Sequence, residues 1–441
     1  MLKAMKFSEL TQALSARVLS SDSSFEGVSI DSRNIKPGQL FVALAGPRFD
    51  GHDYLNDVAA KGAVGALVQR EVADSTLPQL LVADTRLALG QLGALNRAAF
   101  TQPVAAVTGS SGKTTVKELL AGILRTRGPV LATRGNLNND FGAPLTLLEL
   151  APEHTAAVVE LGASRVGEIA YTVALTKPHV AIISNAGTAH VGEFGGPEKI
   201  VEAKGEILEG LDASGTAVLN LDDKAFDTWR VRAAGRKVLT FSVLNAAADF
   251  HASNISVDAR GCPSFTLHTP QGSEHVQLNL LGNHNVANAL AAAAAAFALG
   301  VSLFGIATGL GAVQPVKGRT VAQLATNGMR VIDDTYNANP SSINAAVDLL
   351  KGFAGRKVLV LGDIGELGDW AEQGHREVGA YAAGKVDALY AVGPNMAHAV
   401  NAFGPGAQHF ATQSELIQAL GAAEQDKHTT ILIKGSRSAV M

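Results

Sequence analysis

Lys113, Thr114 and Thr115 are the residues of this chain whose setting first implies a reaction. They close the segment Thr108-Gly109-Ser110-Ser111-Gly112-Lys113-Thr114-Thr115, which follows an apolar, β-branched run at 104–107. Beyond it, Val116, Leu119, Leu120, Ile123 and Leu124 recur at the spacing of one helix face. A strand, a glycine loop and a helix form a phosphate cradle, because backbone N–H groups and the positive helix end face the phosphate oxygens. The lysine then reaches the β- and γ-phosphates, and the Thr114 hydroxyl sits on Mg²⁺. Val107 stands where the general pattern G-x-x-x-x-G-K-[ST] has its first glycine. A plain turn would need the glycines but not Lys-Thr-Thr, so ATP is the expected ligand.

Other candidate residues follow the same logic of strand ends. Apolar runs at 156–160, 180–183 and 216–219 alternate with helical segments, the pattern of a parallel sheet covered on both faces. Ligands in such sheets gather at the carboxyl ends of the strands. Glu160 ends one run, and His190 follows Ser184-Asn185 at the end of the next, so both are expected on the rim that carries the phosphate loop. Each also reads as an ordinary structural residue. Lys204 falls in the middle of the apolar face Ile200, Val201, Ile207, Leu208 and Leu211 of a helix expected over 197–211. An ammonium there is costly to desolvate, so it needs a partner, a modification, or a stem that snorkels outward. Asn283 and Asn288, after a strand expected at 276–280, offer paired amides for a heterocycle edge or caps for the helix they open.

Two early loops concentrate polar groups on glycine-bearing turns: Asp31-Ser32-Arg33, and Arg48, Asp50 and His52 within 46–54. Near the other end, Lys434-Gly-Ser436-Arg-Ser follows a strand at 430–433 and suits a carboxylate. The glycines at 362, 365 and 368 do not make a dinucleotide fingerprint.

The elements that must hold these groups point to an α/β protein of three domains. Residues 1–81 form a small α/β domain, and 82–312, entered through a helix at 87–100, form a central P-loop mononucleotide-binding parallel sheet. Residues 313–441 form a Rossmann-like domain. The 441 residues are 47% hydrophobic and 17% charged, enough for large cores. A net charge of −4 without a basic block argues against nucleic acid. The single cysteine, Cys262, excludes an internal disulfide framework and fits a reducing compartment. The first residues lack the long apolar core of a signal peptide. Residues 276–316 carry no Asp, Glu, Lys or Arg, yet are rich in Ala and Gly and interrupted by Asn, so a buried helix is expected and no membrane insertion. A cytoplasmic monomer is the expectation.

Taken together, Thr108 to Thr115, Glu160, His190, Lys204, Gly282-Asn283-His-Asn-x-x-Asn288, Gly318-Arg319 and Asp334 resemble, in order, the Mur ligase family of ATP-dependent amide-forming enzymes. A phosphate loop without the first glycine is typical of that family. Further segments carry the resemblance toward the members that add a dipeptide: Gly135-Asn136-Leu-Asn138-Asn139, Asp333-Asp334-Thr-Tyr336-Asn337, Leu361 to Gly368, and Lys434 to Ser438. The resemblance implies three domains binding a UDP-N-acetylmuramoyl-tripeptide, ATP and D-alanyl-D-alanine in that order. By position it implies Lys113 on phosphate, with Thr114, Glu160 and His190 on the Mg²⁺ side. It makes Lys204 a carbamoylated lysine, N6-carboxylysine, and a metal-side ligand. Asn283 and Asn288 would meet adenine, Arg319 the phosphates, and Asp334, with Tyr336 nearby, the ribose. Ser32, Arg33, Arg48, Asp50 and His52 would hold the uridine end, and Asn136, Asn138 and Asn139 the muramoyl peptide. Lys434 and Ser436 would meet the dipeptide once domain closure brings the loops over the nucleotide. Ile364 stands where the family more often has Met, and relatives continue past the segment that ends here at Met441. Two rival readings stand beside it: a folylpolyglutamate synthetase, with similar chemistry on a folate, and a P-loop switch that hydrolyses nucleotide without forming an amide.

Overall fold

The computed structural model describes residues 1–187 and 194–441. They divide into two compact units. The first comprises Met1–Ser253, Thr266–His275 and Val286–Leu310; the second comprises Asn254–Phe265, Val276–Asn285 and Gly311–Met441.

Within the first unit, the N-terminal part is a five-stranded sheet in the order Arg17–Val18, Gln79–Leu81, Gly65–Val68, Gln39–Val42, Gly27–Ser29. Strand alternation divides its apolar residues between two cores. Leu40, Val42, Leu67 and Leu80 face one, while Phe41, Ala43, Ala66 and Val68 face the other. The helix Thr85–Ala99 starts two residues before the 87–100 expected, because the Asp84 carboxylate accepts from the N–H groups of Arg86 and Leu87.

The same unit holds six consecutive parallel strands of a larger sheet, in the order Val130–Ala132, Ala156–Glu160, Val104–Thr108, Val180–Ile183, Thr216–Asn220, Lys237–Ser242. The central strands are buried along their whole length, as continuous apolar runs require. After Val104–Thr108 the chain first builds to one side, then crosses to the other, so this strand is the switch point at which a crevice opens. The helix Lys113–Leu124 follows it, with Val116, Leu119, Leu120, Ile123 and Leu124 all buried.

Three expected segments differ in detail. The 197–211 helix is an α-helix over Pro197–Gly205 that tightens to a 3-10 turn over Glu206–Gly210. That turn aims the buried Glu206 carboxylate at the N–H groups of Gly167 and Ala170, capping the helix Glu168–Thr176. The strand expected at 276–280 lies earlier, over Gly272–Gln277. The alanine tract forms the helix His284–Ala298, in which Ala289 to Ala296 are buried throughout. Among the described residues no helix is long and apolar enough to cross a membrane.

The second unit carries a six-stranded sheet in the order Val321–Leu324, Arg330–Asp334, Thr430–Lys434, Lys357–Gly362, Ala388–Val392, Ala407–Phe410. Its first pair is antiparallel and the rest are parallel. Pairing aligns Asp334 with Lys434, and Lys434 with Leu361.

Trp229 is fully buried behind the helix Pro197–Gly205 and donates its indole N–H to the Val201 carbonyl at 3.1 Å. Trp229→Ala should therefore cost ~3–5 kcal/mol of stability, read as a lower urea midpoint at unchanged slope.

Candidate active site

Two glycines shape the loop after Val104–Thr108. Gly109 has φ +153° and Gly112 has φ +78°, values that side chains rarely adopt. A Cβ on Gly109 would lie 1.8 Å from the Ser184 hydroxyl, and one on Gly112 would lie 2.4 Å from the Asn288 amide oxygen. The neighbouring strand end braces the loop: Ser110 N–H donates to the Asn185 carbonyl at 3.0 Å, Ser111 N–H to the Asn185 side chain at 3.1 Å, and Ser184 Oγ to the Ser111 carbonyl at 2.6 Å. Lys113 folds back so that Nζ donates to the Gly109 carbonyl at 2.9 Å. Burial lowers its pKa, and the charge of Glu160 opposes that shift.

Glu160 pairs with Val107 across the sheet, which brings its carboxylate to the helix start. Only 2% of the residue is exposed. Thr114 Oγ1 donates to Oε2 at 2.9 Å, and Asn138 Nδ2 donates to Oε1 at 2.9 Å. A third partner lies on the same helix, since Lys117 Nζ stands 3.9 Å from Oε2 and donates to the Thr133 carbonyl at 2.6 Å. The Thr114 hydroxyl and the Glu160 carboxylate are hard oxygen donors at a phosphate loop. They suit Mg²⁺, which takes one or two protein oxygens and fills its shell with waters and phosphates. Among the described residues no group of three or more His, Cys, Asp or Glu is arranged to hold a metal. His190 lies outside the described residues.

Lys204 is buried at 3% exposure, with Nζ 5.3 Å from the centre of the Phe194 ring. Burial first, then the like charge of Lys113, pulls its amine down from 10.5 to about 8. Lys204, Lys113, Ser110, Asn138 and Asn139 all line one cleft of about 940 Å³. Its other wall includes Arg86, Asp140, Arg165 and Glu168. Asn139 is exposed, its side chain accepting from Gly142 N–H at 2.9 Å, and Asn136 lies in the preceding turn, its carbonyl accepting from Asn138 N–H.

The early loops are arranged differently from one another. Arg33 is bidentate on Asp31 and otherwise exposed, and its hydrogen bond holds the Asp31 carboxyl at about 2. Ser32 offers its carbonyl to Lys61 at 2.8 Å, and Arg48 is exposed. His52 is buried, with both ring nitrogens engaged: Nε2 accepts from Gln69 N–H at 2.9 Å, so Nδ1 carries the proton that it shares with Asp50 at 2.6 Å. It holds the loop and offers no free nitrogen to a ligand.

In the second unit, Arg319 stacks on Tyr336, with the guanidinium carbon 4.2 Å from the ring centre. Lys434 is 5% exposed, and its ammonium donates to Asp334 Oδ2 at 2.7 Å and to the Asn337 carbonyl at 2.9 Å. Ser436 is buried beside Ser438, 2.9 Å between hydroxyls. Asn288, in the first unit, is buried beside Gly112; Asn283, in the second, is exposed.

Sequence reasoning missed Lys117 and the Arg86–Asp140 pair. Lys117 sits one turn after Lys113, at the edge of the apolar stripe beside Leu120 and Leu124, and that spacing was its only signal. Arg86 and Asp140 are 54 residues apart and carry none.

A parallel sheet whose switch-point strand runs through a glycine loop into a Lys-Thr helix start defines a P-loop nucleotide-binding α/β protein. Profiles described as the Mur ligase middle domain, the Mur ligase glutamate ligase domain and the Mur ligase family catalytic domain match residues 107–296, 318–437 and 24–97. The chain belongs to the Mur ligase family. It is 46% identical to the UDP-N-acetylmuramoyl-tripeptide–D-alanyl-D-alanine ligase of Escherichia coli (strain K12), with 99% of this chain and 97% of that protein covered. A crystal structure of MurF from Acinetobacter baumannii is 42% identical with a TM-score of 0.85, covering 99% of this chain and 97% of that one. MurF from Thermotoga maritima in complex with ADP is 28% identical with a TM-score of 0.72, covering 94% of each chain.

Gly112→Ala should lose ~1–2 kcal/mol from the left-handed backbone alone. It must also displace Asn288, so urea unfolding of this variant should show a larger loss than Gly135→Ala, where the added Cβ meets nothing.

Proposed function

We infer that this protein is an ATP-dependent ligase that joins D-alanyl-D-alanine to UDP-N-acetylmuramoyl-tripeptide, forming ADP and phosphate, in the cytoplasm. The observation that carries this reading is the cleft in which Lys113, Lys204 and Asn138 converge, in a chain 46% identical to a ligase of that name over nearly its whole length. The three domains expected at 1–81, 82–312 and 313–441 take the sugar peptide, ATP and the dipeptide respectively.

A peptide carboxylate is a poor electrophile and must first be activated. Its oxygen attacks the γ-phosphorus of ATP, ADP leaves, and an acyl phosphate remains. The dipeptide amine then attacks the acyl carbon, loses a proton and expels phosphate. Lys113 and Arg319 offset charge on the transferring phosphoryl group. Gly112 and Thr115 contribute backbone N–H groups to the phosphate cradle, Gly109, Ser110 and Ser111 shape its loop against Asn185, and Asn283 and Asn288 serve adenine. Thr114, Glu160 and His190 would hold Mg²⁺, which neutralises phosphate charge when bound. The sugar peptide is itself anionic, and the Lys113 ammonium group of the cleft favours it. Ser32, Arg33, Arg48 and Asp50 bind its uridine end, with His52 holding Asp50 in place. Asn136, Asn138 and Asn139 hold its peptide. Ser436 and its loop receive the dipeptide carboxylate.

Lys204 fits N6-carboxylysine. A carbamate forms from the neutral amine, and an amine lowered to about 8 supplies that form near neutral pH far more readily than an ordinary lysine. The product is an anionic oxygen donor beside Lys113, which relieves the repulsion between the two ammonium groups. Incubation with ¹³C-bicarbonate should give a carbamate carbon resonance that Lys204→Met abolishes.

Mass spectrometry of the product, with phosphate release measured with and without D-alanyl-D-alanine, tests the reaction. Lys113→Ala should lower kcat by about a thousandfold or more while the thermal midpoint holds. Full turnover in that variant, or nucleotide hydrolysis without amide product in the wild type, would overturn the reading.

A further inference from the structure

Thr320 is a β-branched residue held at φ +55°, a conformation that such side chains rarely adopt unless their surroundings impose it. It follows Arg319 directly, and the preceding Gly318 is also left-handed, at φ +75°. Asp334 ties the strained turn down at Thr320: its Oδ1 accepts from Thr320 N–H at 3.0 Å and from the hydroxyl at 3.2 Å. The other oxygen of Asp334 takes the Lys434 ammonium at 2.7 Å, across strands paired in register at these two residues. Lys434 also grips the Asn337 carbonyl at 2.9 Å, next to Tyr336, on whose ring the Arg319 guanidinium rests. Tyr336 N–H closes the loop by donating to the Gly318 carbonyl at 2.8 Å. The buried ammonium of Lys434 thus has both contacts inside the network, and the network ties down the residues on either side of the exposed Arg319.

We propose that Lys434 is a positioning residue for Arg319 and not a contact for the dipeptide. Its charge fixes Asp334, and Asp334 holds the Gly318-Arg319-Thr320 turn in the strained form that presents the guanidinium. This rests on the reading that Arg319 meets the ATP phosphates. A lysine binding the dipeptide carboxylate would alter the affinity for dipeptide. A lysine acting through Asp334 alters ATP use instead.

The experiment uses the full chain and steady-state kinetics with ATP and D-alanyl-D-alanine varied separately. The variants are Lys434→Met, Asp334→Asn, the double variant, Thr320→Val and Arg319→Ala. Lys434→Met, Asp334→Asn and Thr320→Val should each raise the KM for ATP, by about fivefold or more in the first two, as Arg319→Ala should, with the KM for dipeptide within about twofold of wild type. The double variant should be no worse than the more damaged single one, because both changes cut one chain of contacts. A rise confined to the dipeptide KM, or effects that multiply in the double variant, would overturn the proposal. Lys434→Met leaves the half-buried Asp334 carboxylate without its cation. If it fails to fold by circular dichroism, the double variant and Thr320→Val decide by the same ATP-against-dipeptide split. If the wild type forms no amide product, the functional reading fails on its own. Calorimetric titration with a non-hydrolysable ATP analogue then decides the positioning role: weaker binding in Thr320→Val and the double variant supports it, and unchanged binding refutes it.

Discussion

The candidate site depends on one register, the parallel pairing of Val107 with Glu160. Because side chains alternate along a strand, a slip of one residue would turn the carboxylate to the far face of the sheet and leave Thr114 without its partner. The register is held by the apolar faces on either side, where Val104, Ala106, Ala157 and Val159 share a core with Ala181 and Ile183. A buried carboxylate is tolerated only when its oxygens are satisfied. Thr114 and Lys117 come from one helix and Asn138 from a loop, so two separate elements converge on this one group.

The charge pattern of the cleft follows from the same crowding. Lys113 and Lys204 are both largely withdrawn from water and repel each other, and the resident carboxylate at Glu160 is already shared. Such a site is electrostatically incomplete until anions enter it, which is the condition that a nucleotide and an acidic peptide would meet. In the second unit the balance is reversed. There Lys434 and Asp334 neutralise each other within the protein, and Arg319 stays exposed.

The phosphate loop, the parallel sheet and the buried alanine helix were legible in the sequence because each is written locally, as apolar runs, glycine positions and helical spacing. Lys204 was legible as an anomaly, a charge on an apolar stripe, and its burial bears that out. What the sequence could not show was which polar groups satisfy one another. The tautomer of His52 is set by Gln69, and the engagement of Lys434 by a residue 100 positions earlier. Those pairings are products of the fold, and no spacing rule reaches them. The 3-10 turn after Gly205 was hidden for the same reason, since its cause is the pair of helix N–H groups that Glu206 caps.

The helix His284–Ala298 gives the first unit a distinct mechanical character. Alanine has no rotamers to lose, so ordering Ala289 and Ala291 to Ala296 carries almost no side-chain entropy penalty. The neighbouring helix Leu303–Ala312 also packs closely: a Cβ on Gly309 would come within 2.4 Å of the Ile123 backbone. Contacts made by backbones and methyl groups have few ways to rearrange, so amide hydrogens along this helix belong among the slowest in the chain to exchange with solvent. The phosphate loop is thereby mounted on a rigid floor, and the motions that turnover requires must arise elsewhere.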